Sequence, residues 1–177
     1  LCNHGIPQEV IMLAYSASKN FFCKTTEWKN NLKINSNHHG FLSIGEAQME
    51  KAKQVDLKES FVWGLEIDPN DPGIASDNPF LGENNWPASR PDMRKALTSY
   101  FSAVSDVGKD LLRAFAVSMN LPPNAFVTGF TRPISRGSAI FYPPQPSAQD
   151  KQYGVSPHTD FGCITIRDAR WVELSVG

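Results

Sequence analysis

The chain has 177 residues, of which 41% are hydrophobic and 20% are charged, and its formal net charge is −1. This length and composition are sufficient for one domain with a buried core. The near-neutral charge argues against a nucleic-acid partner or an anionic membrane surface, and no apolar run reaches the roughly 18 residues that a membrane-spanning helix needs. The cysteines are widely spaced and odd in number, which favours neither a disulfide framework nor a zinc site and indicates a reducing, cytoplasmic location.

The N-terminal part of the chain is predicted to be helical. Pro7 suits the first turn of a helix, where its missing N–H is not needed. Apolar residues then follow at intervals of three or four, the spacing of one helix face: Val10, Ala14, Ala17 and Phe21. The pattern predicts a helix over 7–23, followed by a short helix that begins at Thr25 or Thr26 and ends near Leu32.

The central part of the sequence is poor in helical periodicity. Residues 35–40 are predicted to form a polar loop in which His38 and His39 are solvated. Residues 56–64 are the most strand-like stretch, although their alternation of polar and apolar side chains is imperfect. Residues 68–91 are rich in proline and asparagine and predict a long irregular connection, a kind of segment that is often functional.

The longest periodic segment predicts a helix over 91–120. Pro91 suits its first position, and Leu121-Pro122-Pro123 ends it. Apolar side chains repeat along it at intervals of three or four residues: Met93, Leu97, Tyr100, Val104, Val107, Leu111, Phe115 and Met119. Such a stripe is typical of a face that packs against the core, so we interpret these residues as structural rather than catalytic.

The C-terminal part consists of short apolar runs separated by turn formers. Residues 138–142 predict a strand that ends at a pair of prolines, and residues 145–154 predict a polar loop. Residues 155–166 alternate well enough to predict a second strand. Residues 171–176 are compatible with one more.

His158 and Asp160 lie within the second of these predicted strands. Residues two apart in a strand project from the same face, so an imidazole and a carboxylate are expected to face one site. Such a pair supplies two legs of the 2-His-1-carboxylate triad, which holds non-haem Fe(II) and leaves positions open for oxygen and substrate. No histidine follows His158 in the sequence, so the third leg is missing from these residues.

Short motifs in a fixed order cover most of the chain. They are Asn3-His4-Gly5-Ile6-Pro7, Asp56-Leu57-Lys58-Glu59-Ser60-Phe61, Asn85-Trp86-Pro87, the long helix, Tyr142-Pro143-Pro144, Gly154-Val155 and His158-Thr159-Asp160-Phe161-Gly162. In content and order they resemble the isopenicillin N synthase-like Fe(II)/2-oxoglutarate-dependent dioxygenases. The last of these motifs is the most specific.

The resemblance implies an α+β fold. A helical N-terminal region, residues 1–130, would pack on a partial double-stranded β-helix, or jelly roll, that begins within residues 131–177 and whose C-terminal strands are missing. It also implies oxidation of a small organic metabolite by hydroxylation, desaturation or ring closure. The reaction would use Fe(II), molecular oxygen and 2-oxoglutarate, with ascorbate in place of the oxoacid in some relatives. Carried over residue by residue, His158 and Asp160 are metal ligands and Tyr142 binds the oxoacid.

Two elements of the family pattern are absent from the sequence. One is the distal histidine, and the other is the downstream Arg-x-Ser motif that clamps the far carboxylate of 2-oxoglutarate. Arg136-Gly137-Ser138 has the right letters but precedes the His158 motif, so by order it is a different element. We therefore expect a truncated family member with little or no turnover, through cropping, alternative splicing or a misread intron. The alternative is a non-catalytic or mispredicted product that associates with itself or with a full-length relative through exposed sheet edges.

Overall fold

The computed structural model describes residues 2–46, 56–68, 80–130, 133–144, 154–155, 158–160 and 162–168. Within these ranges the helices and strands are α1 (Gln8–Phe22), α2 (Thr26–Asn30), β1 (Gly40–Leu42), β2 (Glu59–Gly64), α3 (Pro91–Ser118), a 3-10 helix (Val127–Gly129) and β3 (Arg136–Phe141). The predicted mixture of helices and sheet is confirmed. None of the described helices combines the length and the apolar character that crossing a membrane requires.

The two N-terminal helices confirm their predictions. Helix α1 follows Pro7, whose carbonyl accepts a hydrogen bond from the Val10 N–H at 3.0 Å. Its buried side chains are Ile11, Ala14, Ala17, Phe21 and Phe22, so Ile11 rather than Val10 starts the core face. Helix α2 is capped by Thr25, whose hydroxyl oxygen accepts from the Trp28 N–H at 3.3 Å. Such a cap satisfies one of the backbone donors left over at a helix start.

The strands form one antiparallel sheet in the order β1-β2-β3. Phe41 in β1 lies opposite Phe61 in β2, and Phe61 lies opposite Ala139 in β3. Opposed residues share a sheet face, so these three side chains point the same way. That face packs against the helices, with the Phe21 ring 4.8 Å from the Phe61 ring between centroids.

Strand β1 was not predicted, because it has only three residues and its first residue, Gly40, was assigned to the polar loop 35–40. Gly40 begins it with φ 130°, and a Cβ at this position would lie 2.6 Å from the backbone oxygen of Leu32. Only glycine fits such a close approach to another backbone segment.

Strand β2 confirms the predicted strand, although it begins three residues later than expected. Its imperfect alternation has a structural cause. Glu59 points to the apolar side and pairs with Lys29 of α2 at 2.6 Å, and the two side chains are only 10% and 4% exposed. A charge at a core position is tolerated when an opposite charge meets it there.

Helix α3 confirms the predicted long helix but only part of its predicted core face. Met93 and Leu97 are buried, whereas Phe115 and Met119 are 54% and 61% exposed. Because α3 has 28 residues and α1 has 15, α1 covers only part of its length. In the last turns the buried side chains are Leu112 and Ala116, so the prediction was wrong for this part of the helix.

The predicted strand over 155–166 is not formed within the described residues 158–160 and 162–168. Gly162 has φ 86°, a left-handed conformation that interrupts an extended strand. From residue 163 to 167 exposed and half-buried side chains still alternate, with Ile164 and Ile166 turned inward. The predicted strand at 171–176 lies outside the described residues.

The prediction that His39 is solvated was wrong. Its side chain is buried, with the residue 2% exposed, because the loop before β1 packs under residues 80–86. The Nδ1 atom of His39 lies 3.4 Å from the Glu83 carbonyl oxygen, and the Asn37 side-chain amide donates to the Leu81 carbonyl at 3.2 Å. Burial lowers the pKa of His39, since a charged imidazole would lose its hydration there.

Candidate metal centre

His158 and Asp160 lie together at the surface. The Nε2 atom of His158 is 3.1 Å from the Oδ1 atom of Asp160, and the side chains are 31% and 51% exposed. The spacing of two residues therefore brings the imidazole and the carboxylate to one place, although the backbone between them is not part of a strand. Their role as metal ligands stays a prediction.

The separation of the two donor atoms suits a bound metal ion. Ligand atoms about 2.0–2.2 Å from a metal, at right angles to each other, are about 3 Å apart. His158 Nε2 and Asp160 Oδ1 have this spacing, and a nitrogen and an oxygen donor are the types that non-haem Fe(II) takes. The same distance also suits a hydrogen bond between the two side chains. The pair thus fits two adjacent positions around one ion.

The carboxylate of Asp160 is held in its ionised form. The Thr165 hydroxyl donates a hydrogen bond to it, which is the largest cause of a lowered pKa for Asp160, and His158 and Arg167 act in the same direction. Hydrogen bonds and nearby positive charge favour the charged form of a carboxyl group. Asp160 is therefore a carboxylate at neutral pH, which is the form that a metal ligand must have.

Tyr142 comes directly after β3 and is 40% exposed. Its ring lies against Gly154, where a Cβ would be 2.7 Å from the Tyr142 Cδ1 atom. Burial raises the pKa of the Tyr142 phenol, Arg167 opposes the rise and Asp56 adds to it. The phenol therefore keeps its proton at neutral pH and can donate a hydrogen bond.

Arg167 relates Tyr142 to the metal-ligand pair. Its positive charge lowers the pKa of Asp160 and opposes the rise in the pKa of Tyr142. The sequence interpretation missed Arg167 and Thr165. The signal that identifies them is the alternation with Ile164 and Ile166, which leaves Thr165 and Arg167 on the outward side.

A buried ion pair adjoins Tyr142 at the end of the sheet. Lys58 Nζ lies 3.2 Å from Asp56 Oδ2, and their side chains are 10% and 0% exposed. Lys58 precedes and Tyr142 follows the last pair of the β2–β3 ladder, which joins Glu59 to Phe141. The pair is neutral as a unit, so it adds little net charge to the site.

We searched the described parts of the chain for groups of at least three histidine, cysteine, aspartate or glutamate side chains that could hold a metal ion. These parts of the chain contain no such group. Arg136, the basic residue of the Arg-Gly-Ser sequence in β3, lies with its guanidinium carbon 4.6 Å from the centre of the Phe80 ring.

Residues 1–89 match the family described as non-haem dioxygenase in morphine synthesis, N-terminal. This match covers half of the 177-residue chain. The chain belongs to this family of non-haem dioxygenases. The resemblance inferred from the ordered motifs is thereby confirmed.

Individual relatives agree with the family. The chain is 30% identical over 173 residues to the 2-oxoglutarate-Fe(II) type oxidoreductase hxnY of Emericella nidulans, covering 94% of this chain and 50% of that protein. It therefore spans about half the length of the curated relatives that it matches.

Solved structures show the same fold. A 2OG-Fe(II) oxygenase family protein from Caulobacter crescentus superposes with a TM-score of 0.71 at 23% identity, over 82% of this chain and 47% of that one. JOX2 in complex with 2OG, Fe and JA superposes with a TM-score of 0.68 at 20% identity, over 89% of this chain and 44% of that one. These similarities concern the fold, since the sequences have diverged far.

Proposed function

We propose that this chain supplies two iron ligands to an Fe(II)- and 2-oxoglutarate-dependent oxygenase. The reaction is oxidation of a small organic metabolite by molecular oxygen, as hydroxylation, desaturation or ring closure. The observation that carries this proposal is the 3.1 Å separation of His158 Nε2 and Asp160 Oδ1 in a chain of the non-haem dioxygenase family. The oxidoreductase hxnY has 2-oxoglutarate and Fe(II) in its name, which supports the choice of metal and cosubstrate.

Each site residue has a distinct role in this proposal. His158 and Asp160 hold the iron, and the hydroxyl of Thr165 fixes the orientation of the Asp160 carboxylate. The neutral phenol of Tyr142 donates a hydrogen bond to the oxoacid. The bound iron supplies the activation of oxygen. The exposed, free thiols of Cys2, Cys23 and Cys163 support a reducing compartment, for which we propose the cytoplasm.

For the architecture, we propose that residues 131–177 begin a jelly roll and that residues 1–130 form the helical region packed on it. The support is the similarity in fold to solved oxygenases and the antiparallel pairing of β3. Because β2 belongs to the first region and pairs with β3 of the second, the two regions share one sheet. We therefore expect them to unfold together rather than as separate units.

With these two ligands alone, we expect weak iron binding and little turnover. Altering residues that merely support a ligand commonly costs about 10–100-fold in metal affinity, so a missing ligand should cost at least as much. The 177 residues contain no histidine after His158 and no Arg-x-Ser motif in the expected place.

Calorimetric titration with Fe(II), without oxygen, tests the metal centre. We expect weak binding by the wild-type chain and a further loss of at least about tenfold in His158→Ala and in Asp160→Ala. His4→Ala is the matched control, since His4 is exposed and hydrogen-bonds only to the nearby Ile6 N–H in the described structure. Equal binding by His158→Ala and the wild type would refute the proposal.

A second candidate is a non-catalytic role in self-association. β3 is the outer strand of the described sheet, its residues are all exposed or half-buried, and Ile140 is 43% exposed. Unpaired strand edges bind other strands, and a charged side chain on the edge prevents this. Light scattering should then show dimers that Ile140→Lys converts to monomers. A wild-type monomer at all concentrations would contradict this role.

A further inference from the structure

Residues 80–86 form a strap that crosses the loop before β1. Two side chains of that loop donate hydrogen bonds to the backbone of the strap: Asn35 to the Glu83 carbonyl at 3.3 Å and Asn37 to the Leu81 carbonyl at 3.2 Å. A segment that is held by polar side chains opens more easily than a segment that is packed into a hydrophobic core. We therefore expect the strap to open without unfolding of the rest of the chain.

Asn84 fastens the strap to the end of the sheet. Its side-chain oxygen accepts a hydrogen bond from the Gly64 N–H at 2.8 Å, and its side-chain nitrogen donates to the Gly64 carbonyl at 3.1 Å. Gly64 is the last residue of β2 and lies opposite Arg136 of β3. Because its N–H is bonded to the strap, exchange of the Gly64 amide with solvent reports whether the strap is closed.

His39 lies beneath the strap with one ring nitrogen unpaired. Its Nδ1 atom is 3.4 Å from the Glu83 carbonyl oxygen, which can only accept, so in the neutral ring Nδ1 carries the proton and Nε2 carries none. Nε2 is buried without a hydrogen-bond partner among the residues that the structure describes, and a Cβ added to Gly64 would lie 2.7 Å from it. A proton on Nε2 would find neither an acceptor nor room for water.

The charges around His39 also disfavour its protonated form. The titratable groups that act on it come from β3, the loop before β1 and the segment after β2: Arg136, His38 and Glu66. The first two oppose a positive charge on His39, and the strap contributes only the Glu83 carbonyl oxygen. Glu66 favours the charge, but its carboxylate already accepts a hydrogen bond from Trp86 Nε1 at 2.6 Å. A protonated His39 is therefore stabilised by leaving its place and reaching water.

We propose that residues 80–86 are a pH-sensitive strap that is released when His39 takes up a proton. The closed form is favoured fully above pH 6.5, and this preference is lost as the pH falls toward the pKa of His39 in the closed form. Gly64 and Phe61 are three residues apart in β2, so the strap lies on the sheet face opposite the helices. Release uncovers that face and leaves the core between the sheet and the helices intact. This inference does not depend on the metal centre.

Hydrogen exchange of the whole chain, followed by NMR, tests the release. We expect the protection factor of the Gly64 amide to be about tenfold lower at pH 5.5 than at pH 7.5, because the open form binds one more proton. His39→Gln should remove this difference, and His38→Gln, which changes the exposed neighbouring histidine, is the matched control that should keep it. Equal protection at the two pH values in the wild type, or the same fall in His39→Gln, would overturn the proposal.

Low concentrations of urea separate release of the strap from unfolding of the chain. Urea should speed exchange of the Leu97 amide, which lies in the core helix α3, and leave exchange at Gly64 nearly unchanged, since a local opening exposes little surface. The same dependence on urea at both amides would show that Gly64 exchanges through unfolding of the whole chain, and would overturn the proposal.

Asn84→Ala keeps the test decisive if His39→Gln fails to fold. It loosens the strap without changing His39. Because coupling between two events is reciprocal, a looser strap must raise the pKa of the His39 imidazole, which NMR titration measures. Asn31→Ala is the matched control, since the Asn31 side chain bonds to carbonyls of α2. An upward shift in Asn84→Ala alone would support the proposal, and an unchanged pKa would overturn it.

Discussion

The hydroxyl of Thr165 donates a hydrogen bond to the carboxylate of Asp160, and this bond is the largest influence holding the Asp160 pKa down. Gly162, with a left-handed φ of 86°, lies between the two residues in the chain. A side chain that orients a metal ligand in this way is important to the metal affinity even though it does not touch the ion.

Thr165→Val should therefore weaken Co(II) binding by about tenfold, because it keeps the shape of the side chain and removes the hydrogen-bond donor. Thr165→Ser retains the hydroxyl and should bind Co(II) nearly as well as the wild type. Calorimetric titration provides the affinities. Thr98→Val, which removes a hydroxyl bonded to the Arg94 carbonyl on α3, is the control. Equal affinities for Thr165→Val and the wild type would show that the hydroxyl does not position Asp160.

Gly40→Ala should destabilise the fold by about 2–4 kcal/mol. A Cβ at this residue would lie 2.6 Å from the Leu32 backbone oxygen, and φ of 130° disfavours any side chain. The control is Gly129→Ala, where no atom lies within 4 Å of the added Cβ. Urea unfolding gives both free energies, and similar values for the two variants would contradict the packing of β1 described above.

Lys29→Met should cost about 3–5 kcal/mol, because it leaves Glu59 buried without its ion-pair partner. The double variant Lys29→Met/Glu59→Leu removes both charges and should be much less destabilised than the single one. Chemical unfolding of the two single variants and the double variant measures the coupling. A cost below about 1 kcal/mol for Lys29→Met would show that the pair behaves like an exposed one.

The stability of the chain should depend on pH through His39. Burial lowers its pKa from 6.5, so the unfolded chain binds more protons than the folded chain below that pH. The stabilisation is complete above pH 6.5 and is lost as the pH falls toward the pKa of the folded state. Urea unfolding at pH 7.5 and pH 5.5 should show a fall in the unfolding free energy that His39→Gln reduces and His4→Gln does not. If the unfolding free energy of His39→Gln falls between pH 7.5 and pH 5.5 as much as that of the wild type, groups other than His39 cause the pH dependence.

Much of the helical structure can be predicted from local sequence patterns. The apolar spacing and Pro7 were sufficient to predict α1, and Thr25 marked the start of α2. What could not be predicted depends on contacts between distant segments. His39 is buried because residues 80–86 cover it, and β1 forms because β2 supplies its hydrogen bonds.

In the candidate site, too, some features could be predicted from the sequence and others could not. The spacing of His158 and Asp160 was enough to predict that they lie together, and the order of motifs was enough to identify the family. Thr165 and Arg167 were missed because their effect on Asp160 acts across Gly162, whose φ of 86° is left-handed. The alternation with Ile164 and Ile166 marks the outward side of this segment, but it does not show that Asp160 lies beside that side.

X-ray absorption of the Co(II)-loaded chain tests the metal centre most directly, since it reports the atoms around the metal. The account predicts a nitrogen and oxygen shell with outer scattering from one imidazole, and loss of the imidazole scattering in His158→Ala. The same imidazole signal in His158→Ala, or none in the wild type, would contradict the assignment of His158 and Asp160 as metal ligands.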